Sequence, residues 1–158
     1  MRRRTISPHR RWRCRSRTAT RPGEALHAAW PEIEAEARVF ELPATRTKKA
    51  RRHRIPISDQ VLALLGRIPR HGEKLFAGVT PKLMRRAFDA AGGQGTTLHG
   101  TARANFAGFC TQRRFDHQAI KFSLAHYPQG TTDRAYFRED LLPERAVVMQ
   151  AWSDYLDG

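Results

Sequence analysis

A mainly α-helical domain with one small antiparallel β-sheet is the fold class this sequence predicts, and three observations lead to it. Apolar residues recur at helical spacing, with capping signals, from residue 58 to the end. Alternation suited to strands is confined to residues 37–57. The chain has 158 residues, 40% of them hydrophobic, enough for one core and too few for two comfortable domains.

The elements follow in order. Pro22 and Gly23 precede a short helix over residues 24–30, with Leu26 and Trp30 one turn apart. Residues 37–42 alternate and read as a strand; 43–52 are polar and turn-like. Residues 54–57 return as a second strand, which Pro56 places at a sheet edge. Ser58 or Asp59 caps a helix through Leu65, Leu75 and Phe76 are extended, and Thr80-Pro81 opens a helix through Ala91. The run AGGQGTT breaks that helix, and His99 begins another that continues through Phe109. Asp116 caps a helix to about Ala125, Pro128 and Gly130 mark a loop, and a short helix holds Tyr136. From Pro143 a last amphipathic helix carries Val148, Met149, Trp152, Tyr155 and Leu156 on its apolar face.

The net charge of +14 favours a polyanionic partner, DNA or RNA first. The charge is unevenly placed. Nine arginines and no acid fall within residues 1–22, leaving twenty basic against fifteen acidic residues in the rest. Residues 1–17 therefore read as a disordered basic leader and 18–158 as the folded domain. Such a leader suits a DNA-tethering arm; it is also what a G+C-rich gene yields when read out of frame. No apolar stretch approaches the roughly 20 residues that cross a bilayer, and no secretory signal follows the basic start, so no membrane partner and a cytoplasmic location are expected. Cys14 and Cys110 stand in no metal-ligand spacing, and neither a metal nor another cofactor is expected. The phosphate-loop, zinc-protease, hydrolase-elbow and dinucleotide motifs are all lacking.

What remains is a series of cationic and hydrogen-bonding residues near the ends of elements: Arg21, Lys48, His99, Arg103 and His126, followed by Tyr136. In that order they resemble the active-site signature of the tyrosine recombinase, or phage integrase, family. Thr18-Ala-Thr-Arg-Pro-Gly-Glu24 resembles its first arginine box, with Ala19 where the box has glycine. The hairpin over residues 46–58 stands where the family carries a lysine. Leu98-His-Gly-Thr-Ala-Arg-Ala104 resembles the second box, with His99 and Arg103 one residue further apart than usual. Leu124-Ala-His126 resembles the third, and Arg134-Ala-Tyr136 the nucleophile segment. The tail from Glu144 to Tyr155 is similar to the closing helix of prophage-type integrases.

The resemblance implies the catalytic-domain fold of that family and site-specific recombination through a 3′-phosphotyrosyl intermediate. Tyr136 is then the nucleophile, and Arg21 and Arg103 stabilise charge on the non-bridging oxygens. His99 is the acid/base, and His126 donates to a phosphate oxygen. Lys48, or Lys49 if the hairpin register is off by one, protonates the departing 5′-oxygen. Lys49, Arg51, Arg52 and Arg54 would contact DNA. The implied partner is double-stranded DNA, with a homotetramer on DNA and a monomer without it. The family's core-binding domain, expected upstream, is absent from this sequence, so a remnant that binds DNA without cleaving it is the alternative. His53, His71 and His117 read as surface histidines.

Overall fold

The fold comes from a computed structural model that describes residues 16–97, 100–127 and 140–158. Six α-helices and a three-stranded antiparallel sheet are present among them: α1 (Pro22–Leu26), β1 (Ile33–Glu34), β2 (Val39–Leu42), β3 (His53–Pro56), α2 (Asp59–Gly66), α3 (Pro81–Phe88), α4 (Gly100–Gln112), α5 (His117–Ser123) and α6 (Leu142–Tyr155). The expected class is therefore observed, and the sheet has one strand more than alternation indicated. A two-residue strand offers too little periodicity to be read.

Sheet order is β1-β2-β3, with Phe40 opposite Ile55 and Leu42 opposite His53. Because side chains alternate across a strand, these four residues share one face, and all are buried. Pro56 sits at the end of edge strand β3, where its missing N–H costs no ladder bond.

Local chemistry fixes most helix starts. Ser58 Oγ accepts from the Val61 amide, Thr80 Oγ1 from Leu83, and Asp116 Oδ1 from Ala119 at 2.7 Å. Helix α3 ends at Phe88 and widens into a π-turn over Asp89–Gly93, so the helix expected through Ala91 is not regular to its end. The helix expected over 24–30 also differs: α1 closes at Leu26, and Trp30 starts a 3-10 turn before Pro31.

Helix α6 organises the core by packing on β3, α2, α4 and α5. Trp152 meets Phe106 edge-on at 5.8 Å, and its indole N–H donates to Ser16 O at 2.7 Å. Val148, Met149 and Trp152 are buried as expected, whereas Tyr155, which meets the Phe109 ring at 4.7 Å, and Leu156 stay exposed. Ser16 and Arg17 fall within the expected leader, yet both are buried. Arg17 donates to Ser153 O and pairs with Asp157, which ties the described N-terminal residues to α6. No helix among the described residues is long and apolar enough to cross a membrane.

Candidate phosphate-binding site

Arg21 is the residue just before α1, and Glu24 holds it there. The buried Glu24 carboxylate accepts from the Arg21 backbone amide and from its guanidinium, both at 2.8 Å. One acid thus satisfies an orphan amide at the helix start and orients a cation.

Arg103 lies in the first turn of α4, and its guanidinium reaches two other segments. Nη1 donates to Ala19 O at 2.7 Å and Nη2 to Leu124 O at 2.6 Å. Burial and then the charge of Arg21 lower its pKa to about 10, with Glu24 opposing.

His126 is placed by the end of α5. The Ala125 amide bonds to Phe122 O at 3.0 Å and the His126 amide to Lys121 O at 2.8 Å, the paired closure that ends many helices. That closure needs a left-handed residue, and here Ala125 supplies it at φ 53°. Ala19 is also left-handed, at φ 50°, so the alanine that replaces glycine in the first box carries a cost of about 1 kcal/mol. Partial burial lowers the pKa of His126, and the charges of Arg103, Arg21, Lys49 and Lys121 lower it further.

Arg21, Arg103 and His126 therefore gather on one side of the domain. Both hairpin lysines, Lys48 and Lys49, are exposed, and the charge of Lys49 is felt at His126. His99 and Tyr136 lie outside the described residues. Arg51 stacks over the Tyr127 ring at 4.1 Å. Arg52 pairs with Glu41, and Arg54 with Asp140 through two bonds of 2.8 and 2.5 Å, so acids neutralise two of the hairpin arginines. Arg46, at the start of the hairpin, pairs with Glu32 and donates to Glu24 O.

Beside this site lies a buried polar network that sequence reasoning missed. His53 is not a surface histidine. It shares the inward face of β3 with Ile55, and its Nδ1 lies 2.8 Å from the Tyr127 hydroxyl. Its pKa falls to about 3 through burial first, then the charges of Arg145, Arg103 and Arg21, against the pull of Asp140. Arg145 is fully buried and donates to Asp140 O at 3.1 Å and to Arg54 O. Burial pushes the Asp140 carboxyl up, but the Arg54 hydrogen bond and the charges of Arg145 and Arg54 outweigh it and leave it below the usual range. A signal for His53 was present: Ile55 two residues on must face the core, and the strand period carries His53 inward with it. Arg145 carried a comparable signal: Val148, Met149 and Trp152 stand three, four and seven residues on, so the helical period carries Arg145 onto the buried face with them.

A basic, mainly helical domain that gathers two arginines and a histidine at the ends of separate segments has the donor chemistry that suits an anion such as a phosphate. No cluster of three metal-ligating side chains occurs among the described residues. No protein-family model and no solved structure matches the chain. Curated sequences do. The chain is 33% identical to the prophage integrase IntA of Escherichia coli (strain K12) over 147 residues, 87% of this chain and 36% of that protein. It is 28% identical to the integrase of Shigella phage Sf6 over 151 residues, 89% of this chain and 39% of the relative. The integrase of Enterobacteria phage P4 is 26% identical over 89% of this chain and 38% of its own length. The chain belongs to the phage and prophage integrase family, and it spans well under half the length of these relatives.

Proposed function

We propose that this chain is the strand-transfer domain of a site-specific recombinase of the tyrosine type, with the catalytic-domain fold of that family, acting on double-stranded DNA. The observation that carries the reading is the meeting of Arg21, Arg103 and His126, drawn from three distant segments, at one cationic site. Attack of the Tyr136 oxygen on a backbone phosphorus forms a 3′-phosphotyrosyl bond and breaks the bond to the 5′-oxygen. Attack by a second 5′-hydroxyl then restores the phosphodiester and frees the tyrosine, so no outside energy is needed.

Charge builds on the non-bridging oxygens between these states, and fixed guanidinium donors are suited to it because they need no reorganisation. The tyrosine proton, with a pKa near 10 in water, passes to a base such as His99. The leaving 5′-oxygen takes a proton from the hairpin, where the electrostatic closeness of Lys49 to His126 favours Lys49 over Lys48. His126, its pKa lowered, serves as a neutral hydrogen-bond donor to phosphate. The strand exchange itself requires a homotetramer assembled on DNA.

The test is a duplex nicked beside the scissile phosphate, which traps the covalent complex because the cleaved end diffuses away. The parent chain is expected to form the adduct and Tyr136→Phe to form none. An adduct that persists in the Phe variant assigns the attack to another residue. A folded, DNA-bound parent that forms none makes the chain a DNA-binding remnant.

A further inference from the structure

We infer that Arg103 is a positioning residue whose guanidinium staples two backbone carbonyls and so sets the spacing between Arg21 and His126. The consequence for catalysis rests on the strand-transfer reading; the staple itself does not.

The two carbonyls belong to segments far apart in sequence, Ala19 and Leu124, and each bond is short, at 2.7 and 2.6 Å. Each acceptor stands two residues before a functional side chain: Ala19 before Arg21, Leu124 before His126. Each also adjoins a left-handed alanine, Ala19 itself and Ala125. Alanine holds that conformation only where its surroundings over-determine it, and a charged donor on the neighbouring carbonyl is such a constraint. Leu124 is moreover the C-cap of α5, where the last carbonyls lack helical partners and a cation is favoured.

The chemistry requires arginine. Nη1 serves one carbonyl and Nη2 the other, so a planar fork fixes the distance between them. Lysine presents one nitrogen, and that point charge cannot hold both acceptors in the same geometry. A guanidinium has five N–H groups; two are used here, and three remain for a phosphate oxygen. Arg103 can thus contact substrate and still owe most of its effect to where it places its neighbours.

Hydrogen exchange on the DNA-free full chain tests the staple, using Arg103→Lys and Arg103→Gln. The His126 amide, bonded to Lys121 O, and the Ala25 amide, bonded to Arg21 O, report the two turns; the Ile57 amide, bonded to Arg38 O, is the reference. Protection at His126 and Ala25 is expected to fall by about 10-fold or more in both variants while Ile57 stays within about 2-fold. Unchanged protection at His126 in Arg103→Lys overturns the staple. An equal loss at Ile57 overturns it as well, since Arg103 would then support the whole fold.

A second arm separates positioning from direct contact. Covalent adduct formation is expected to slow by about 100-fold in Arg103→Lys, and the same change made in a His126→Ala background is expected to cost less. Additive losses overturn the positioning role. A parent without adduct overturns the strand-transfer reading and leaves the exchange result to judge the staple.

Discussion

Around Arg103 the cations outnumber the acids among the described residues: Arg21, Arg103 and Lys49, with His126 beside them, face one carboxylate, that of Glu24. Beneath β3 the balance differs, with Arg54 matched to Asp140 and the buried Arg145 tied to backbone carbonyls and the same aspartate. His53 lies where the two regions adjoin and feels charges from both. Identical residue types therefore do opposite work. Cations whose donors are matched by a shared carboxylate and by backbone carbonyls stabilise one arrangement of the chain, whereas an excess of cations over acids is suited to an anion from outside.

If that contrast is correct, the largest effect on folding comes from the matched region. Arg145→Ala leaves the carbonyls of Asp140 and Arg54 without their donor and empties a fully buried site, while Asp140 keeps its two bonds from Arg54, and it is expected to lower unfolding stability by about 3 kcal/mol, read from urea denaturation. A loss below about 1 kcal/mol would erase the distinction between the regions.

The next effect is a pH dependence carried by His53. Unfolded, it takes a proton near the ordinary value of 6.5; folded, it resists until about 3. Over that window the unfolded state binds more protons, so stability is full above about pH 6.5 and falls as pH drops, by up to about 1.4 kcal/mol per unit. Between pH 7 and pH 4 the parent should lose on the order of 3 kcal/mol more than His53→Gln. Parallel stability curves for the two proteins would show that folding leaves the proton affinity of His53 unchanged.

In the unmatched region the expected order reverses. Arg21→Ala is expected to slow adduct formation by about 100-fold, as for a lost oxyanion donor, while costing less folding stability than Arg145→Ala. A variant with normal adduct kinetics and a collapsed denaturation midpoint would move Arg21 into the structural class. The smallest effect sharpens the account of how His126 is held. Ala125→Gly relieves a left-handed alanine in a helix-ending turn and should raise stability by about 0.5–1 kcal/mol, measured by thermal unfolding. Lower stability would mean that the turn carries no strain.

Local signals in the sequence were enough for the helix starts at Ser58, Thr80 and Asp116, for the edge position of Pro56 and for the order of the family boxes, because each depends on neighbours within a few residues. The apolar face of α6 was legible up to Trp152 for the same reason, and failed at Tyr155 and Leu156, where burial depends on what else is nearby. That the charge of Lys49 reaches His126 depends on the path of the hairpin across the domain, which no local pattern gives. The left-handed state of Ala19 and Ala125 was not legible in the sequence, since alanine prefers other conformations, even though bonds as local as those of Ala125 and His126 to the end of α5 accompany it. The burial of His53 followed from strand period once the strand was placed, but its partner Tyr127 stands 74 residues away. Pairings over such distances, including the Arg103 bonds to Ala19 and Leu124, are decided by packing, because no periodicity in a linear chain encodes which carbonyl a long side chain will meet.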